Sequence, residues 1–339
     1  MNIINSFSLV ICTYNRKQNL NRLLESIVNQ ASKPKEIIIV DSSDFIHPRH
    51  QEFEKSNLIF YKWVTRKDRG LTKQRNIGIR MVHEQSNIIC FLDDDVILNT
   101  NYFKELMITF NTYEKAIGVG GYIVNEIEWK KKITYSESTS INKYEFDGFY
   151  RNLPLRFRLR KRLGLSPNTP PGYMSNFGHG YSVSFLPPTE KTYSVEMLMG
   201  GVSAYRKSLF DKIKFSEFFQ GYGLYEDADF SLRAAQLGKL YINTKAQLEH
   251  HHEPTGRPNM FKYGRMVVRN GHYVWRIKNP RPNITDRFKW HAITLLLLLV
   301  RATNALTGPK RKQALMETIG RKIGYFELLI IMILRRLFS

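Results

Sequence analysis

The chain has 339 residues, with 51 Lys and Arg against 30 Asp and Glu, for a formal net charge of +21. That length suits one large domain or two, and the apolar and aromatic content suits a packed core, which excludes a disordered chain. The positive excess favours polyanions: nucleic acid, anionic lipid headgroups or nucleotide-type substrates. Both cysteines, Cys12 and Cys90, sit in apolar runs, so buried thiols are expected rather than a disulfide. The first residues lack a basic segment followed by an apolar one, so no secretory signal is expected. No uninterrupted apolar run approaches the ~20 residues that cross a bilayer as a helix. The chain is therefore expected to face the cytoplasm.

Residues 7–12 read as a buried strand, followed by the polar turn Thr13-Tyr14-Asn15-Arg16. Leu20, Leu23, Leu24, Ile27 and Val28 then recur at helical spacing. Residues 36–40 form a second strand, which runs into Asp41-Ser42-Ser43-Asp44, and 58–64 a third. Arg69-Gly70 leads into a helix over 72–82. Residues 88–92 are apolar and run straight into Asp93-Asp94-Asp95. So short an apolar run suits a strand buried on both faces. Its carboxyl end is where open α/β sheets bind ligands. Three adjacent carboxylates repel one another unless a cation neutralises them, and a divalent metal does so most simply. A helix over 102–110 and a strand over 118–124 follow. The alternation predicts a mostly parallel sheet flanked by helices.

From about 125 to 191 the pattern dissolves. Arg156, Arg158, Arg160, Lys161 and Arg162 form a basic cluster, and the Pro- and Gly-rich residues 166–180 read as a mobile loop over the site. A strand over 197–205 carries Gly200-Gly201, where a ligand could approach the backbone closely. Glu226 and Asp227 open a helix that ends at Leu237-Gly238. Residues 240–242 form a short strand, and His250-His251-His252 follows. The tail mixes cations with aromatic residues around two apolar stretches, 290–300 and 323–334. Both are too short to span, and they suit helices lying in a membrane surface.

Taken in order, Thr13-Tyr14-Asn15-Arg16, Asp41, Arg69 with Arg75-Asn76-x-Gly78, Asp93-Asp94-Asp95 and Glu226-Asp227 resemble the motifs of a family 2 glycosyltransferase with the GT-A fold. Gly200-Gly201 and the segment from Glu226 to Arg233 are also similar to that family's pattern. The resemblance implies a catalytic domain over 1–256, with an insertion at about 125–191, and the tail's composition adds a C-terminal helical membrane-associating region over 257–339. It implies an inverting transfer from a nucleotide-diphosphate sugar to a glycan or lipid-linked glycan. Such an enzyme would serve cell-surface polysaccharide or glycolipid assembly, peripherally on the cytoplasmic face of the membrane.

The resemblance also assigns roles. Asp93 and Asp95 would bind Mn²⁺ or Mg²⁺, with His250 completing the shell and His251 and His252 left open. Asp94 would face the sugar, Asp41 the base, and Thr13 and Tyr14 the nucleoside. Arg69 would meet the diphosphate, with Asn15, Arg16, Arg75 and Gly201 also on the donor side. Asp227 would be the general base, with Glu226 the alternate. Asp229 and Arg233, at i and i+4, would pair structurally. The motif Val-Asp-Ser-Ser-Asp departs from the family's commoner Val-Asp-Asp-Gly-Ser, which leaves the base open. Two other classes compete: a non-catalytic polyanion-binding protein, and a phosphatase with Asp93 as nucleophile. Nucleic acid is not the expected partner, because strand-end carboxylates repel phosphate unless they hold a metal.

Overall fold

The computed structural model describes residues 6–133, 140–219, 221–252 and 258–337; the boundary expected at 256/257 lies outside them. In chain order the elements are β1 (Phe7–Thr13), α1 (Lys17–Val28), β2 (Glu36–Asp41), α2 (His50–Glu54), β3 (Ile59–Trp63), α3 (Leu71–Met81), β4 (Ile88–Asp93) and β5 (Val96–Leu98). Next come α4 (Tyr102–Thr112), β6 (Ala116–Ile123), β7 (Lys130–Lys131), β8 (Lys143–Phe146), β9 (Phe149–Asn152) and α5 (Leu155–Arg162). The chain continues through β10 (Thr192–Val195), β11 (Val202–Arg206), α6 (Glu226–Ala235) and β12 (Lys239–His250) to α7 (Met260–Lys278), α8 (Ile284–Thr307) and α9 (Arg311–Leu337).

The large sheet runs β10-β12-β6-β11-β4-β1-β2-β3, with β5 on β12. Strands β3, β2, β1 and β4 are parallel, whereas β11 runs antiparallel between β4 and β6. Register decides what shares the ligand edge: Thr13 pairs with Asp41 and Cys12 with Asp93. The carboxyl ends of three strands thus arrive together. Two apolar layers hold the sheet. Leu9, Ile11, Ile37, Ile39 and Cys90 pack on one face, and Val10, Ile38, Val40, Ile89 and Phe91 on the other. Alternate residues of one strand serve opposite layers, as a strand period of two requires.

Four expectations need correction. The stretch 125–191 is not patternless: β7, β9 and β8 form a small antiparallel sheet. These strands run to four residues or fewer, and their charges obscure any alternation. The segment 166–180 is not a mobile surface loop. Met174, Ser175 and Phe177 are buried, and Trp275 of α7 donates its indole N–H to the Asn176 carbonyl at 2.8 Å. The strand expected over 197–205 begins only at Val202, so Gly200 and Gly201 lie in the turn before it. Finally, α8 is 24 residues and, by length and composition, apolar enough to cross a membrane. Uninterrupted apolar runs miss such a helix because His291, Thr294 and Arg301 break the run without breaking the helix.

The C-terminal helices share a separate core with α6, in which Trp275 and Trp290 stack at 5.5 Å beside Leu232 and Leu328. Asn259 and Asn283 cap α7 and α8 by accepting from the amides of Lys262 and Asp286, at 2.9 and 2.7 Å. Such caps contribute about 1 kcal/mol each. Helices α7 and α9 cross at a glycine seam. A Cβ on Gly264 would stand 2.2 Å from the Glu317 carbonyl oxygen, and one on Gly320 would stand 2.0 Å from that of Phe261. On α8, Trp290, Ile293 and Leu297 face inward, whereas Phe288, Leu295 and Leu299 lie on the exposed side.

Candidate active site

The three adjacent acids are each answered by cationic or hydroxyl partners, with Arg16 shared between two of them. Asp93 lies 3.5 Å from Arg75. Asp94 accepts from the Thr13 hydroxyl at 2.6 Å and from Arg16 at 3.0 Å. Asp95 lies 3.4 Å from Arg16 and 3.2 Å from His250. Burial pushes Asp94 up to about 6, against the pull of Arg16. Asp94, expected to face the sugar, is thus held by Thr13 and Arg16 on the turn after β1 while it also lines the cleft.

His250 reaches the acids because β12 extends far beyond the short strand expected there. It pairs with β5 in a register that sets His250 against Val96, next to Asp95. Ligand atoms of Asp93, Asp95 and His250 lie within 4.8 Å of one another. A second set, Glu126, His250 and His252, shares that histidine, while His251 turns to Glu249 at 3.0 Å. Two carboxylates and an imidazole make a donor set that suits Mn²⁺, and Mg²⁺ through the oxygens. Burial opposes a charge on His250, but hydrogen bonds to Asp95 and Glu126 outweigh it and carry the ring up to about 10. A proton is held where the acids call for a cation.

A cleft of 740 Å³ opens beside these acids. Thr13, Tyr14, Arg16, Arg69, Asp93 and Asp94 line its sheet side. The Arg69 guanidinium lies 4.4 Å from the Tyr14 ring centroid and donates to Asp44 at 2.7 Å. Asn15, at a left-handed φ of 55°, bonds the same Asp44 at 2.9 Å. Hydrogen bonds from Asn15 first and Arg69 second hold Asp44 below the usual carboxylate range. Asp41 lies behind this wall, buried, accepting from the Tyr61 hydroxyl at 2.6 Å and the Ser43 amide at 2.8 Å. Across the cleft, α7 contributes Lys262, Arg265 and Arg269. The sequence reading missed these three. Their i, i+3, i+7 spacing on a single helical face was the available signal.

Arg75 does not face this cleft. It is 2% exposed and ion-pairs with buried Glu226 while reaching Asp93. Gly201 is needed for the same arrangement: a Cβ there would stand 2.1 Å from the Asp93 carboxylate. Tyr225, just before α6, adopts φ 70°, a left-handed conformation uncommon for a bulky residue and a recurrent mark of functional sites. It delivers two neighbouring acids in different directions. Glu226 turns inward to Arg75, and burial pushes it up to about 8. Asp227 instead lines a second cavity, of 580 Å³, with its carboxylate held by the Ala228 amide at 2.8 Å. Burial raises its pKa too, chiefly against hydrogen bonds from Ala228 and Gly200 and the charge of Arg75. Asp229 and Arg233 pair at i, i+4 as their spacing implies.

Residues 8–175 match the profile of Glycosyl transferase family 2. A glycosyltransferase, GlyA, of Streptococcus pneumoniae is 28% identical over 125 residues, 36% of this chain and 17% of that protein. A glucosyl-dolichyl phosphate glucuronosyltransferase of Haloferax volcanii is 23% identical over 122 residues, 34% of this chain and 38% of that protein. The chain thus matches well under half the length of either relative. A crystal structure of GalNAc-T7 with UDP, GalNAc and Mn²⁺ aligns with a TM-score of 0.52 at 16% identity, covering 91% of this chain and 59% of that one, a likeness of fold. With the site at the carboxyl ends of β1, β2 and β4, the chain has the GT-A fold, and residues 8–175, just under half of it, carry the match to glycosyl transferase family 2.

Proposed function

We propose that the protein transfers a sugar, with inversion, from a nucleotide-diphosphate sugar in the 740 Å³ cleft to an acceptor hydroxyl beside Asp227. One observation carries this reading. A metal-competent trio, Asp93, Asp95 and His250, stands at the cleft, and a partly buried carboxylate opens into the cavity next to it. In this reading Tyr14 and Arg69 flank the nucleoside, and Lys262 and Arg269 set a positive potential for the diphosphate. Arg75 and Glu226 position Asp93. When bound, Mn²⁺ or Mg²⁺ supplies Lewis-acid stabilisation of the departing diphosphate.

Asp227 takes the acceptor proton as the acceptor oxygen bonds to the anomeric carbon and the bond to the diphosphate breaks on the opposite face. The sugar passes through an oxocarbenium-like state. A carboxylate whose proton affinity is raised by burial suits that role. The family match over residues 8–175 favours this reading over both the phosphatase and the passive polyanion-binding alternatives.

The acceptor in this reading is a glycan or lipid-linked glycan of cell-surface assembly. The Haloferax relative is by name a transferase to a dolichyl phosphate-linked glucose. Helix α8 and the apolar faces beside it attach the protein to an anionic membrane, with the active site in the cytoplasm. A thermal-shift screen against UDP, GDP, CDP and dTDP, each with and without Mn²⁺, tests the donor site. A shift for one diphosphate that needs Mn²⁺ is expected. No shift for any of them in Mn²⁺ would overturn the reading.

A further inference from the structure

The cavity that holds Asp227 carries charge that the transfer chemistry does not use. Four arginines line it: Arg156, Arg160, Arg301 and Arg321. Two share one counter-charge, since buried Glu317 lies 2.7 Å from both Arg301 and Arg321. The other two have no carboxylate within ion-pair distance among the described residues. Arg160 is only 3% exposed. It donates to the backbone carbonyls of Leu165 at 2.9 Å and His179 at 3.0 Å, which leaves its Nη2 buried without a partner. Both the Arg160 and Arg156 guanidiniums lie over the same Phe157 ring, at 5.3 and 5.1 Å from its centroid. A buried guanidinium without a counter-charge is costly, and proteins keep such groups where an anion completes them.

Apolar residues lie beside these cations. Leu297 and Val300 of α8 form part of the same cavity wall. Neighbouring residues of that helix, Leu295 and Leu299, are 43% and 60% exposed on its outer side. An occupant of this cavity therefore meets a carboxylate base, an unpaired guanidinium pair and the flank of an apolar helix long enough to cross a membrane.

We propose that Arg160 and Arg156 form an anion subsite for the phosphate of a lipid-linked acceptor, whose hydrocarbon leaves the cavity along Leu297 and Val300. This rests on the acceptor-side reading of the Asp227 cavity. The phosphate sits at the arginines, the sugar hydroxyl at Asp227, and the tail on α8. A neutral glycan would leave Arg160 uncompensated, and a free anion would leave the apolar wall unused. Burial, helped by neighbouring Arg156, pushes Arg160 down to about 10, the direction a bound phosphate would reverse.

The test measures binding of octyl phosphate, octyl glucoside and inorganic phosphate to the full chain in an uncharged detergent. UDP with Mn²⁺ serves as a separate donor-side probe. Octyl phosphate is expected to bind at least ~10-fold more tightly than either other probe. Arg160→Gln and, independently, the exposed Arg156→Gln should each lose about that factor while UDP with Mn²⁺ binds as in the wild type. Arg160→Lys should recover part of the loss. Equal affinity for octyl phosphate and octyl glucoside would overturn the anion subsite. Equal affinity for octyl phosphate and inorganic phosphate would overturn the lipid-linked acceptor. Unchanged octyl phosphate binding in Arg156→Gln would overturn the paired subsite, even if Arg160→Gln fails to fold. Loss of UDP binding in the wild type, with octyl phosphate binding intact, would instead strike the glycosyl-transfer reading and leave the subsite standing.

Discussion

The cleft beside Asp93 and the cavity beside Asp227 are neighbours of opposite construction. Strand ends build the sheet side of the cleft, and nearly every charge there is answered: Asp94 by Arg16 and Thr13, Asp95 by Arg16 and His250, and Arg69 by Asp44. Helices build much of the cavity, from α5 to α9, and it keeps charge in reserve at Arg160. Between them stands the Arg75–Glu226 ion pair, which also touches Asp93. A fixed network suits a site that always holds the same nucleotide and metal. An unanswered cation suits a site whose ligand brings the missing charge.

The largest expected effect separates the two regions outright. Asp227→Asn should lower transfer by ~10²–10⁴-fold, the usual share of a general base. It should leave Mn²⁺-dependent UDP binding within twofold or so of wild type, in titrations run beside the activity assay. Comparable loss of both would mean that the cavity and the cleft are one site. Next, Arg75→Met strips a buried carboxylate of its partner and should destabilise the fold by about 3–5 kcal/mol in urea unfolding. A cost near zero would show that the wall between the regions is not held by that pair.

Gly201→Ala acts on one side only. The added Cβ must displace Asp93, and Mn²⁺-dependent UDP affinity should fall by ~10–100-fold, as it does when supporting contacts of a metal ligand are lost. Octyl phosphate binding in the cavity should not change; a parallel fall would merge the two regions again.

The smallest effect is a pH slope. Burial, with Arg160 adding to it, pushes His179 down to about 4 in the folded chain. Its ordinary value is near 6.5, so the unfolded chain takes up the proton first as the pH falls. The contribution of neutral His179 is complete above pH ~6.5 and is lost between there and about 4. Wild-type unfolding midpoints should therefore drop faster over that window than those of His179→Gln. Parallel curves would mean that His179 is not shielded beside Arg160.

The cleft was far more legible in the sequence than the cavity. Strand ends are marked by local contrast, as where Leu92 gives way to Asp93, and parallel pairing gathers such ends at one edge. Thr13, Tyr14, Arg16, Arg69 and Asp93-Asp94 therefore outlined most of one side before any coordinates. Three things were hidden. Arg75 reads as a ligand contact because charge alone does not reveal burial behind Asp93. His250 was named only through the resemblance; what brings it to the acids is the length of β12, whose residues 243–247 hold too many polar side chains to read as strand. Arg160 sits in a basic cluster that looks like a solvated face, because Phe157 and Leu165 bury it only through tertiary contacts with residues 177–185 and α8. The membrane-length helix was missed for a related reason: a helix continues through single polar residues such as His291, Thr294 and Arg301, whereas a count of consecutive apolar residues stops at each.

The glycine seam between α7 and α9 has a mechanical consequence. With Gly264 and Gly320 set against opposing carbonyls, no layer of side chains lies between the two backbones to absorb a slip. The helices must move as one piece. One of them carries Lys262 and Arg269 over the cleft, and the other carries Arg321 into the cavity. A hinge that opened the first would therefore drag on the wall of the second, away from Asp93 and its neighbours.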